Sequence, residues 1–82
     1  MYKLYKKDDI HFSISSNNEL FLFWITESKR MLMYYTYSMD RDEDSELIKR
    51  TSSRGLSLGG DIYTLINIFD TISEAKQAIL EV

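Results

Sequence analysis

Leu20-Phe21-Leu22-Phe23-Trp24-Ile25-Thr26 and Met31-Leu32-Met33-Tyr34-Tyr35-Thr36-Tyr37-Ser38 decide the fold, because both are runs of strand formers joined only by the polar turn Glu27-Ser28-Lys29-Arg30. Together they hold six of the chain's eleven aromatic residues. A chain of 82 residues has little material with which to cover both faces of so apolar a ribbon. One face is therefore expected to remain for a partner.

Upstream, residues 9–15 place Ile10, Phe12 and Ile14 on one parity and His11, Ser13 and Ser15 on the other, the period of a half-buried strand. Asn17-Asn18 then supplies residues that tolerate the positive φ of a tight turn, and the chain returns from Glu19 as an antiparallel strand. Downstream, the strand from Met31 ends near Met39. Residues 40–46 carry so many charges that they read as a loop. Residues 47–58 alternate weakly and read as an edge strand or an extended loop closing on Gly59-Gly60. Residues 61–69 contain Ile62, Tyr63, Thr64, Ile66 and Ile68, and the strand reading is preferred there, although Ile62, Leu65, Ile66 and Phe69 also fall at helical spacing. Thr71-Ile72-Ser73-Glu74 has capping-box spacing, and Ala75, Lys76, Gln77, Ala78 and Leu80 favour a terminal helix. The expected architecture is α+β, an antiparallel meander of about four strands with a C-terminal helix packed on one face, in a single domain spanning 1–82.

A two-residue turn at Asn17-Asn18 and a four-residue loop at 27–30 set the register and hence the faces. Phe12 is expected opposite Phe23, Phe23 opposite Tyr34, and Trp24 between His11 and Met33. One face then carries Ile10, Phe12, Ile14, Phe21, Phe23, Ile25, Leu32 and Tyr34, and should receive Ile72, Ala75 and Ile79 of the helix. The other carries His11, Ser13, Ser15, Leu20, Leu22, Trp24, Met33, Tyr35 and Tyr37, a mixture closer to interface than to core composition. The competing expectation is that residues 47–68 fold over this second face.

Composition narrows the function. Hydrophobic residues make up 44% and charged residues 28%, as in an ordinary globular domain. The absence of cysteine removes disulfides, thiolate metal sites and cysteine nucleophiles, and fits a reducing compartment, so a cytoplasmic location is expected. The longest apolar run, 20–25, is far short of the ~20 residues of a membrane helix, and the lysine-rich start lacks the apolar region of a signal peptide. No membrane association is expected. The net charge of −3 argues against a protein built for nucleic-acid phosphates.

Catalytic chemistry finds few residues to carry it. Gly55-Leu56-Ser57-Leu58-Gly59 matches G-x-S-x-G, but that chemistry needs a histidine after the serine in a much larger sheet, and the one histidine, His11, precedes it. No carboxylate or nucleophile is set beside His11 by spacing. Asp40, Asp42 and Asp44 fit the first calcium-loop positions, yet Ser45 replaces the glycine and Thr51 the bidentate glutamate. No catalytic residue, metal site or cofactor is expected. Asp40, Asp42, Glu43, Asp44 and Glu46 instead make an acidic patch suited to a basic partner, such as a nucleic-acid-binding protein. Lys49, Arg50 and Arg54, flanking Thr51-Ser52-Ser53, support the alternative of a nucleic-acid module that combines cations with stacking rings.

Phe69-Asp70-Thr71-Ile72-Ser73-Glu74-Ala75-Lys76 resembles the strand-to-helix junction of small sheet-plus-helix modules, among them the arm-type DNA-binding domains of tyrosine integrases. The resemblance covers about one tenth of the chain, and the basic sheet of such an arm is lacking. In its short, cysteine-free, Lys-, Asn- and Tyr-rich style the chain is also similar to small phage accessory proteins. The expected function is a non-catalytic protein-binding module, an inhibitor or accessory factor of the phage or anti-defence kind. Its partner surface comprises Leu22, Trp24, Met33, Tyr35, Tyr37, His11 and the acidic residues, and a second copy of the chain is among the partners it allows.

Overall fold

The computed structural model describes residues 1–51 and 54–81. The chain runs β1 (Tyr2–Lys6), β2 (His11–Ser15), β3 (Glu19–Ile25), β4 (Met31–Ser38), α1 (Asp42–Lys49), β5 (Gly55–Leu58), β6 (Asp61–Phe69) and α2 (Ile72–Glu81). The strands form one antiparallel sheet in the order β4-β3-β2-β1-β6-β5. The α+β class and the C-terminal helix agree with the sequence reading; the sheet has six strands, not about four.

Two of the extra elements have plain physical reasons. The lysines of β1 disguise a central strand that sends Leu4 into one core and Tyr5 into the other. The charged stretch expected to be a loop is the start of α1, whose first turn holds Asp42, Glu43 and Asp44, where carboxylates oppose the positive end of the helix dipole. Asp44 and Ile48, four residues apart, share the buried face of that helix. Segment 61–69 is a strand, and it returns from β5 through Gly59-Gly60, both at positive φ (55° and 90°) as the tightest hairpins require.

The β2–β3 register is the expected one, with Phe12 opposite Phe23 and His11 opposite Trp24. The β3–β4 register is not. Leu22 pairs with Tyr35 but Phe23 pairs with Met33, so Tyr34 is an extra residue in a bulge. Beyond it Trp24 faces Leu32, and the expected pairs Phe23 with Tyr34 and Trp24 with Met33 do not form. A second bulge at Ile66 interrupts β1–β6, where Leu4 faces Asn67 and Tyr5 faces Leu65. Bulges raise local twist, and the sheet curls into convex and concave faces.

The convex face packs Leu4, Phe12, Ile14 and Phe23 against Ala75 and Ile79 of α2, with Phe21, Ile25 and Ile72 at its margin. This is the expected core, except that Ile10, Leu32 and Tyr34 are exposed and Met31 joins instead. Thr71 Oγ1 accepts the Glu74 N–H at 3.2 Å and donates to the Glu74 carboxylate at 3.0 Å, which fixes the start of α2. The concave face gathers Tyr5, Leu20 and Leu22 with Ile48, Leu56, Leu58 and Tyr63, so the 47–68 segment does fold over the second face, though only over part of it.

Candidate functional site: the open end of the concave face

Along β3 and β4 the concave face has a closed end and an open end. At the closed end, Leu20 and Leu22 lie beneath α1 and β5, and Tyr37, whose ring meets Tyr35 edge-on at 4.7 Å, is partly buried against them. Burial, with the neighbouring tyrosines and Asp44 adding to it, raises the Tyr37 pKa. At the open end the same strands leave Trp24 41%, Leu32 40%, Tyr34 50% and Tyr35 45% exposed, whereas Met33, opposite Phe23, is exposed on the convex face.

His11, Trp24 and Tyr34 line an open depression of about 350 Å³ there. Its walls are held from behind. The Asp8 carboxylate contacts His11 Nδ1 through both oxygens, at 2.9 and 3.0 Å, and accepts the N–H groups of Ile10 (3.0 Å) and His11 (2.8 Å). Burial works to raise the Asp8 pKa, but these hydrogen bonds and the imidazole beside it outweigh that and hold it below the usual value. Tyr34 is hydrogen-bonded to Tyr63, a core residue whose hydroxyl is pushed well up, first by burial and then by that bond. The bulge therefore moves Tyr34 from the expected core to the rim. Sequence reasoning missed this residue, and no local signal in the sequence marks the bulge.

The edge of β4 is treated unequally as well. In an antiparallel ladder alternate residues point their N–H and C=O at the neighbour and away from it. Hydrogen bonds from Thr26 N–H to Arg30 C=O and from Met39 N–H to Asn18 C=O set the phase, so Met31, Met33, Thr36 and Ser38 turn outward. The carboxylate of Asp44 accepts the outward Ser38 N–H at 3.2 Å, and the Arg41 guanidinium donates to the outward Thr36 carbonyl. The two side chains are themselves ion-paired at 2.8 Å, with Arg41 also over the Tyr35 ring. This clasp occupies the Thr36 carbonyl and the Ser38 N–H in the second half of the edge. Among the described residues, no strand pairs with the outer side of β4.

The sequence-predicted residues divide accordingly. Trp24, Tyr35 and His11 stand at or beside the open end, whereas Met33, expected on the same face, is turned by the bulge to the convex face opposite Phe23. Leu22 is buried in the concave core, and Asp44 is buried in the clasp, so neither is on the surface. Asp40, Asp42, Glu43 and Glu46 remain exposed. With residues 42–44 helical, the carboxylates do not wrap a cation, and no cluster of three or more potential ligands occurs among the described residues. Lys49 lies near Asn17, at the far end of β3 from Trp24, a separation of roughly 20 Å at strand rise. Arg50 borders Leu47, Leu56 and Ser57. Lys49 and Arg50 are thus not brought to the rings; Arg54 is exposed just before β5, and Ser52 and Ser53 lie outside the described residues. Ser57 sits in strand β5, not on a strand-to-helix turn. Among the described residues no helix is long and apolar enough to cross a membrane.

No protein family, curated protein or solved structure matches this chain.

Proposed function

We propose that the domain is a non-catalytic protein-binding module, an inhibitor or accessory factor, whose partner covers the open end of the concave face. One observation carries this reading: Trp24, Leu32, Tyr34 and Tyr35 are exposed side by side on two paired strands whose neighbours Leu22 and Phe23 are buried. A contiguous apolar surface of large aromatic side chains is the composition of interface centres. Rings with polar handles, here Trp24, Tyr34 and Tyr35, suit a surface that is wet when free and dry when bound. The exposed carboxylates Asp40, Asp42, Glu43 and Glu46 favour a basic partner and act on encounter rate more than on lifetime.

The nucleic-acid alternative needs cations beside the rings, and Lys49 and Arg50 stand apart from them. Affinity capture from the native host, with wild type beside Trp24→Ala and Tyr34→Ala, tests the reading. A protein retained by wild type and lost from both folded variants supports it. An unchanged set of captured proteins, or oligonucleotide binding that falls steeply with salt, overturns it.

A further inference from the structure

We infer that the open half of the β4 edge is a strand-addition site for a second copy of this chain, paired antiparallel about a two-fold axis through Leu32. This rests on reading the β3–β4 surface as a protein interface and names what occupies its edge. The outward residues of the open half are Met31 and Met33, separated by one inward residue. Two-fold pairing sets Met31 opposite Met33 of the second copy, and Met33 opposite Met31. Each of these is a hydrogen-bonded pair, and together they form four N–H···O bonds. Leu32 then meets its own counterpart, and the newly covered side chains are Leu32 (40% exposed) on one face of the edge strand and Met33 (54% exposed) on the other. The register is self-limiting, because the next outward groups, at Thr36 and Ser38, are already taken by Arg41 and Asp44.

Charge selects the same arrangement. Residues 31–38 carry no charge, proline or glycine, so nothing in the strand opposes edge pairing. Antiparallel pairing brings the turn Glu27-Ser28-Lys29-Arg30 of each copy toward the start of α1 in the other. The turn carries two cations against Glu27; the segment 40–44 carries Asp40, Asp42, Glu43 and Asp44 against Arg41, which Asp44 already neutralises. Arg30 and Lys29 also come alongside Tyr34 and Tyr35 of the second copy, an arrangement that favours cation–π contact.

Sedimentation velocity across low-micromolar to submillimolar concentration reads the result. Wild type is expected to dimerise. Leu32→Lys, which sets two ammonium groups face to face on the axis at an already exposed position, is expected to be a folded monomer. Lys29→Glu with Arg30→Glu should weaken the dimer tenfold or more, and adding Asp42→Lys with Glu43→Lys should restore it. A monomeric wild type overturns the inference, as does a dimer indifferent to Leu32→Lys. If wild type is monomeric yet a captured protein still depends on Trp24, the protein-interface reading stands and the second copy is wrong; if nothing depends on Trp24, both fail.

Discussion

The two ends of β4 share one strand and one sheet face, yet the fold finishes one and leaves the other bare. At the Thr36–Ser38 end the outward backbone groups are bound by Arg41 and Asp44, and Leu20, Leu22 and Tyr37 are packed under α1 and β5. At the Met31–Tyr34 end the edge is unmatched and Trp24, Leu32 and Tyr34 face outward. Placement explains the contrast. α1 begins at the Ser38 end of β4 and leads away toward Ser15 and Lys3 on one side and Leu56 and Ser57 on the other. Surface protection here comes from a helix that caps one end of the strands and leaves the other uncovered.

The largest expected effect asks whether the open end is solid or merely loose. Phe23 lies directly behind it on the convex face, buried among Phe12, Ile14, Ala75 and Ile79. Phe23→Ala should destabilise the domain by about 3 kcal/mol, as a large aromatic removed from a packed core does. Chemical denaturation measures this. A midpoint unchanged from wild type would mean that the open end is poorly packed on both faces, and the comparison would collapse into order against disorder.

The closed end is tested through its clasp. Asp44→Ala strands the Ser38 N–H and takes the ion-pair partner from Arg41, which keeps the Thr36 carbonyl, and hydrogen bonds to a charged group contribute about 1.5–3 kcal/mol. We expect a loss of about 2 kcal/mol, with faster hydrogen exchange at the Ser38 amide and none of that acceleration at Met33, which has no clasp to lose. Equal exchange at the two amides in monomeric wild type, at concentrations too low for a second copy to bind, would erase the distinction between the halves.

Much of this was legible from the sequence, and the failures share a cause. The β2–β3 pairing followed from Asn17-Asn18 and from alternation; α2 followed from its cap and its apolar spacing. Alternation presumes an unbroken period of two, and the bulge at Tyr34 breaks it, exchanging Met33 for Leu32 beside Trp24 and moving Tyr34 to the rim. Such a bulge leaves no composition mark because Tyr34 is as good a strand former as its neighbours. Charge misled in two places. Lysines concealed β1, and carboxylates at 42–44 suggested a loop where they begin a helix, one of them becoming buried. Pairing of a side chain with a backbone edge six residues away is a tertiary event that no local pattern records.

A smaller effect of opposite sign probes the closed core itself. Ser13 is fully buried on the concave face between Tyr5 and Leu22, and its hydroxyl finds no hydrogen-bond partner among the described residues. Removing an unsatisfied buried hydroxyl recovers desolvation cost, so Ser13→Ala should stabilise by about 1 kcal/mol. A destabilised variant would reveal a partner for that oxygen and a wetter concave core than its lining implies.

The smallest expected effect on stability falls on the residue expected to matter most for binding. Trp24 neighbours Phe23 in the chain but points to the other face, where it is 41% exposed and opposite the equally open Leu32. Its truncation removes little buried area, so Trp24→Ala should cost at most about 1 kcal/mol of folding free energy. The same change should cost ~2 kcal/mol or more of partner binding, since a large aromatic at an interface centre concentrates the energy. Denaturation midpoint and partner affinity, measured on the same preparation, separate the two quantities. A variant that unfolds would show that the open end is core after all, and one that folds and binds as wild type would show that the exposed rings serve no partner.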